Sequence, residues 1–321
     1  MNSFLAILGE SIRLLRARKL FWISLGISAL VALMYLSIGF DENGPTFFFG
    51  AWHLKMESAA QGTQGAEMFY TGLFTSYIVG GWMTWASMIL ALISCAPIFP
   101  EFMLEGAAGV TLSKPVSRVA LFLYKFVGGL LFVTLQTTLF AAIVVIAIRW
   151  RIGVWMPSVF MAIPVVTLVF SYLFSIQTLI GVKTRSVMFS ILGTILMWLT
   201  FYFLNLGQAV TYQLGEIGRN PVNMEKLSPD EQATWRRVNG WIEETRAALP
   251  KTAETANLMN RVIVLQNGNN LLKEQEQMDG AVGNQAKYEG RHSPAYIVWT
   301  SLASELVILG FAAWIFSRRD F

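Results

Sequence analysis

The sequence predicts an all-α, polytopic membrane protein: six transmembrane helices, an interfacial helix at the N-terminus and a helical insert outside the membrane. Three observations carry that prediction. Hydrophobic residues make up 55% of the 321 positions and charged residues only 14%, where a soluble domain carries about 25% charged residues. Several apolar runs exceed the roughly 18 residues needed to cross the hydrocarbon core. The charges gather between those runs. A soluble core of this size would break its apolar stretches every few residues, because each element keeps one wet face. A transmembrane barrel is excluded by the continuity of the runs, which do not alternate in segments of about ten.

Residues 1–20 form an amphipathic helix, with Phe4, Leu5, Ile7, Leu8, Ile12 and Leu15 on one side and Arg13, Arg16, Arg18 and Lys19 at the far end. A cleaved signal places its positives before the apolar part, so this segment is assigned to the inner leaflet surface. Span one covers residues 21–40, with Trp22 and Tyr35 near its ends as interface rings. Residues 41–71 are a polar outer segment carrying the aromatic patch Phe47 to Trp52, which dips into the headgroups or packs on the bundle.

Span two runs over 72–98, with Gly80, Gly81, Ala86 and Ser87 small enough for close helix contact. Pro97 and Pro100 then stop it. The short hinge 99–118 follows, carrying Glu101, Glu105, Lys114, Pro115 and Arg118 between two membrane-length runs. Such a charged, proline-bounded piece lies at a membrane face and suits a docking partner there. Span three covers 119–148, where Lys125 snorkels from near its start and Gly128-Gly129 invite a tight crossing. Arg149 to Arg151 make a short turn, and span four covers 154–182 with a kink expected at Pro164. Span five covers 187–206.

The composition then changes over 207–293, where acids and bases nearly balance and no membrane-length run occurs. Ser228-Pro229-Asp230-Glu231 is a helix start with cap, first-turn proline and capping-box glutamate. Helices are expected over 229–249, 252–266 and 271–278, with a return loop over 279–293. The chain thus divides into 1–206, the insert 207–293, and 294–321, which holds span six. Glu305 is the one acid within any predicted span, and an ionisable group at that depth defaults to a functional hypothesis. It lines a substrate path, or it makes a structural hydrogen bond to a neighbouring helix; burial favours its neutral, donating form.

Charge sets the topology. Arg13, Arg16, Arg18, Lys19, Lys114, Arg118, Lys183, Arg185, Arg318 and Arg319 fall on one side of a six-span plan with few acids beside them. Both termini are therefore expected in the cytoplasm and the insert outside it. Anionic headgroups account for the net charge of +4, and nucleic acid is not needed to explain it.

No phosphate loop, zinc-protease motif or close cysteine pair is present. The single Cys95 sits in an apolar run as a small packing residue, and His53 and His292 are expected at the surface of outer loops. No metal site, no cofactor and no catalytic chemistry are expected in the chain, so work must come from a gradient or a partner.

The stretch Glu101-Phe102-Met103-Leu104-Glu105-Gly106, followed by Thr111-Leu112-Ser113-Lys114-Pro115-Val116-Ser117-Arg118, resembles permease subunits of ABC-2-type exporters. The branch is that of multi-copper enzyme maturation and gliding motility permeases. Lys125-Phe126, the amphipathic start and the closing Phe316-Ser317-Arg318-Arg319-Asp320-Phe321 add to the likeness. The resemblance implies a bacterial or archaeal cytoplasmic membrane, a separate ATPase subunit that brings ATP and magnesium, and a second permease protomer. It implies that Glu101, Glu105, Lys114, Pro115 and Arg118 form the ATPase-coupling segment. The cargo would be amphipathic, lipid-like or peptide-like. The large insert departs from the family pattern and suits an extracytoplasmic protein partner. Two alternatives stand beside export: a scaffold that transmits force to an outer complex without transport, and a membrane-embedded enzyme built on a polar cluster around Glu305.

Overall fold

Among the described residues, capping hydroxyls begin several helices, and proline or glycine follows several of their ends. The computed structural model describes residues 19–103, 117–218, 220, 225–265, 268–278 and 280–318. The expected interfacial helix before Lys19 lies outside the described residues. Helix α1 (Lys19–Leu36) is apolar after Lys19 save for Ser24 and Ser28, and it ends four residues short of the expected span. Gly39 begins a small antiparallel sheet in its place. Its strands are β1 (Gly39–Asp41), β2 (Gly44–Phe47) and β3 (Trp52–His53), paired in that order. This sheet and an isolated bridge between Val264 and Asn270 depart from an all-α plan among the described residues, and the strands are too short to leave a clear alternating signature.

Thr63 caps α2 (Gln64–Leu73) by accepting from the Ala66 N–H. The chain continues through a π-helical stretch, Phe74–Ala86, into α3 (Ser87–Cys95) and α4 (Ile98–Phe102). Wide turns hold the stretch, as where Ser87 N–H bonds to Trp82 O five residues back. Helix α5 (Arg118–Ile152) has 35 residues, about 50 Å of helix, and outreaches the roughly 30 Å hydrocarbon core. Arg149 to Arg151 belong to its last turns rather than to a loop. The turn is at Gly153, whose φ of 82° is the left-handed conformation that ends helices.

Pro157 opens a 3-10 turn, Pro157–Met161, that leads into α6 (Ala162–Thr184). Pro164 therefore falls in the first turn of α6, where its missing N–H is not needed, and it kinks nothing. Ser186 caps α7 (Val187–Tyr212), which runs past the expected end at 206 into a wide turn, Gln213–Ile217.

Among the described residues, five segments are long and apolar enough to cross a membrane: Gln64–Phe102, Arg118–Arg151, Pro157–Thr184, Val187–Ile217 and Pro294–Ser317. Helix α1 adds a shorter apolar helix, Trp22–Leu36. Helix α6 sits at the centre, against α5, α7 and the last helix. Val169, Phe170, Tyr172, Leu173 and Phe174 are buried on all its sides, as a helix without a wet face must be. Gly129 of α5 is needed at the tight crossing, because a Cβ there would lie 2.6 Å from the Phe174 ring. Polar side chains bind the bundle where lipid offers no partner. Gln136 of α5 donates to Ser28 Oγ of α1 at 3.0 Å and to Ser87 Oγ of α3 at 3.1 Å. Gln177 of α6 donates to Leu92 O at 3.0 Å.

The remaining helices are α8 (Pro229–Ala247), α9 (Thr252–Asn257), α10 (Met259–Val262), α11 (Leu271–Glu276), α12 (Ala281–Gly290) and α13 (Pro294–Ser317). The capping box of α8 forms in full between Ser228 and Glu231. The helix expected over 252–266 is split at Leu258, and much of the stretch expected as a return loop is α12.

Candidate functional site

The expected coupling segment lies only partly among the described residues. Glu105, Lys114 and Pro115 fall outside them, as do Arg319, Asp320 and Phe321. Glu101 is exposed on α4, and Arg118 opens α5 behind the Ser117 cap. Their flanks are fastened to the end of α13. Phe316, fully buried, packs against Phe122 at 5.6 Å, Phe102 at 6.2 Å and Phe99 at 6.4 Å between ring centroids. Arg118 Nη1 donates to Ser317 O at 3.1 Å. Lys125 does not snorkel outward: it is buried, its Nζ lying 4.2 Å above the centre of the Phe102 ring. The end of α4 and the start of α5 are thus held in one aromatic cluster with the end of the last span.

At the opposite end of the bundle the insert enters between the spans. Pro250 ends the reach of α8 and turns the chain inward, so that α9 packs on α6, α7, α13 and the π-helical stretch. Thr252, Glu254, Thr255 and Ala256 of α9 are all buried. Burying this polar helix requires partners for its charges, and the surrounding elements supply them.

Glu254 is the hub. Its Oε1 lies 3.0 Å from Arg246 Nη2 of α8 and 2.8 Å from Arg291 Nη2. Burial alone would push its carboxyl up; the His292 imidazole and the charges of Arg291 and Arg246 outweigh that and hold it at about 2. Arg246 also donates to Gln208 Oε1 and, at 3.1 Å, to Asn205 Oδ1, both on α7. Arg291 stacks its guanidinium 3.7 Å above the centre of the Tyr288 ring. His292, expected at the surface, is instead largely buried, with Nε2 2.8 Å from Glu243 Oε1 and Nδ1 3.5 Å from Glu254 Oε2. Lys251, buried, caps the end of α8 by donating to Arg246 O and Ala247 O, and reaches Thr300 Oγ1 of α13 at 3.0 Å. Its burial lowers its pKa.

Below this layer the polar groups continue into the bundle. Lys251 N–H donates to Ser301 Oγ at 3.0 Å. The buried Tyr172 hydroxyl lies near Thr255, Ser301 and Glu305 without a hydrogen bond to them. Glu305 is itself buried and receives Ser171 Oγ at 3.0 Å. Ser171 has one hydrogen for two acceptors, Leu168 O at 2.9 Å and Glu305 Oε2, so a proton on Glu305 would satisfy both contacts. Glu305 thus faces protein, with the Ser171 hydroxyl against its carboxyl.

Sequence reasoning found Glu305 but none of Arg246, Lys251, Glu254, Arg291 and His292 as site residues. The charge-bearing stretch on either side of Pro250 was the one available signal. Among the described residues no group of three or more His, Cys, Asp or Glu is placed to hold a metal ion. No family model, no curated protein and no solved structure matches this chain.

Proposed function

We propose that this chain is the membrane-embedded permease subunit of an ABC-2-type exporter, without catalytic chemistry of its own, driven by a separate ATP-hydrolysing subunit. The observation that carries the reading is the aromatic cluster Phe99, Phe102, Phe122 and Phe316. A partner pressing on the segment between α4 and α5 would move three spans through it together. Lys19, Arg118, Lys183, Arg185 and Arg318 lie toward that end of the helices, which supports placing it, and both termini, in the cytoplasm of a bacterial or archaeal cell. The insert then lies outside. A second protomer would complete the pathway, and the cargo class is amphipathic, lipid-like or peptide-like. The test replaces Glu101 and Glu105 together with Ala and measures insertion, ATPase binding and stimulated ATP hydrolysis. Normal insertion with weakened binding and stimulation is expected. Unchanged binding and stimulation would remove the coupling role.

One observation favours force transmission as a second reading. Helix α9 is wedged among four elements of the bundle and charge-paired there, so movement of the spans would reach the insert directly. Transport of a labelled amphipathic cargo separates the two readings: a pure transmitter would hydrolyse ATP with its partner and move no cargo.

A further inference from the structure

We propose that the face of the bundle bearing the small sheet holds one resident phospholipid, its phosphate at Arg151 and one acyl chain in the groove beneath Phe48. The proposal does not rest on the export reading.

Phe48, Phe49 and Gly50 all have positive φ, at 51°, 58° and 93°. For glycine this is ordinary, whereas two consecutive phenylalanines in the left-handed region are strained and need a return elsewhere. The conformation is fixed, since Phe49 N–H donates to Ser37 O at 2.9 Å. Yet the chain's own packing does not provide that return, because the two side chains remain 61% and 64% exposed. What the strain achieves is to send the two rings to different places. The Phe48 ring lines a groove of about 290 Å³ bounded by Val31, Met34, Ile38, Leu73 and Ile78, almost entirely apolar. The Phe49 ring lies 5.2 Å from the guanidinium of Arg151.

Arg151 stands at the end of a membrane-spanning helix. It is flanked on another side by Trp150, also at 5.2 Å, and lines a second hollow of about 270 Å³ with Phe40, Gln61 and Gly153. Its Nε donates to Leu36 O at 2.8 Å, which ties it to the end of α1 beside the groove. Its Nη2 is shielded by the surrounding chain and has no hydrogen-bond partner there. Among the described residues neither Arg149 nor Arg151 has a carboxylate partner. Asp41, the acid of the sheet, is engaged by His53 Nδ1 at 2.7 Å and by Asn43 N–H. A guanidinium with a spare N–H, set between two aromatic faces at the end of a span, matches a phosphodiester with an apolar tail. An anionic headgroup suits the Arg151 charge, which has no carboxylate beside it, better than a zwitterionic one.

The test titrates the full-length protein, purified in mild detergent, with phosphatidylglycerol and counts bound lipid by native mass spectrometry. Arms with phosphatidylcholine and with inorganic phosphate run alongside. One tightly held phosphatidylglycerol is expected, with phosphatidylcholine weaker and millimolar phosphate unable to displace either. Arg151→Gln should weaken retention at least tenfold. Phe48→Gly and Phe49→Gly should each weaken it several-fold while raising the melting temperature in lipid-free detergent, because glycine relieves the strain. These two variants keep the test decisive if Arg151→Gln fails to fold. Equal lipid retention by wild type and the folded variants would overturn the proposal. So would displacement of the lipid by free phosphate, which would mean a bare anion site.

Discussion

Arg246 and Glu254 meet at 3.0 Å with only 7% and 6% of their side chains exposed, joining α8 to α9 across the Pro250 turn at the point where the insert enters the bundle. Removing one partner of a buried pair leaves an uncompensated charge and costs about 3–5 kcal/mol. Glu254→Ala strands both Arg246 and Arg291, so it should loosen the whole insert. Hydrogen exchange would show α9 and α12 losing protection, while the amides of α5 and α6 keep theirs.

The same carboxyl sets an acid limit. Its folded pKa of about 2 lies below the ordinary glutamate value of about 4.3. The stability it contributes is therefore fully present above about pH 4.3 and is lost as pH falls through about 2. Insert protection measured between pH 7 and 3 should fall only in the lower part of that range in wild type. In Glu254→Gln it should already be low at pH 7, and this contribution to its pH dependence should be absent.

Much of the bundle was legible from the sequence, because a lipid solvent imposes long apolar runs and the runs are hard to miss. The start of α8 was legible too, since Ser228 and Glu231 are local partners three residues apart. The insert's docking was not. Arg246, Glu254 and Arg291 pair across turns, and each alone resembles a solvated helix charge. His292 was misplaced for the same reason, because its burial depends on Glu243 and Glu254 arriving from two other helices. The sheet escaped because three strands of two to four residues carry no usable period, and α12 because its Gly, Asn and Lys content looks like a loop. Nothing local to Lys125 signals that Phe102, in another helix, covers it.

Glu305 separates packing from passage. Glu305→Gln should retain a hydrogen bond with Ser171 and fold normally, whereas Glu305→Leu should lose about 1–3 kcal/mol through unpaired neighbours. If Glu305 contacts cargo, the Gln variant will assemble at wild-type level and transport less in purified complex. A wild-type transport rate in that variant would assign Glu305 to packing.

Gln136 is expected to anchor α1. Gln136→Leu removes its bonds to Ser28 and Ser87, and interhelical bonds in membranes average about 0.6 and reach about 1.7 kcal/mol each. A loss of about 1–2 kcal/mol in a bilayer unfolding assay is expected, with α1 becoming protease-sensitive first. No change in either would show that apolar packing alone holds α1.

Opposite placement of the two ends can be read with single cysteines, because the native Cys95 is buried. Trp241→Cys, on the exposed side of α8, should react with a membrane-impermeant maleimide in intact cells. Lys183→Cys should react only after permeabilisation. The reverse pattern would invert the topology.

The most direct measurement of the coupling account places a photo-crosslinking residue at position 101 of the full-length protein in native membranes. A cross-link to a soluble, phosphate-loop ATPase whose hydrolysis this chain stimulates is expected. The same probe at position 241 should not capture that subunit. A probe at 101 that captures no ATPase, or an ATPase captured from position 241 instead, would contradict the coupling role.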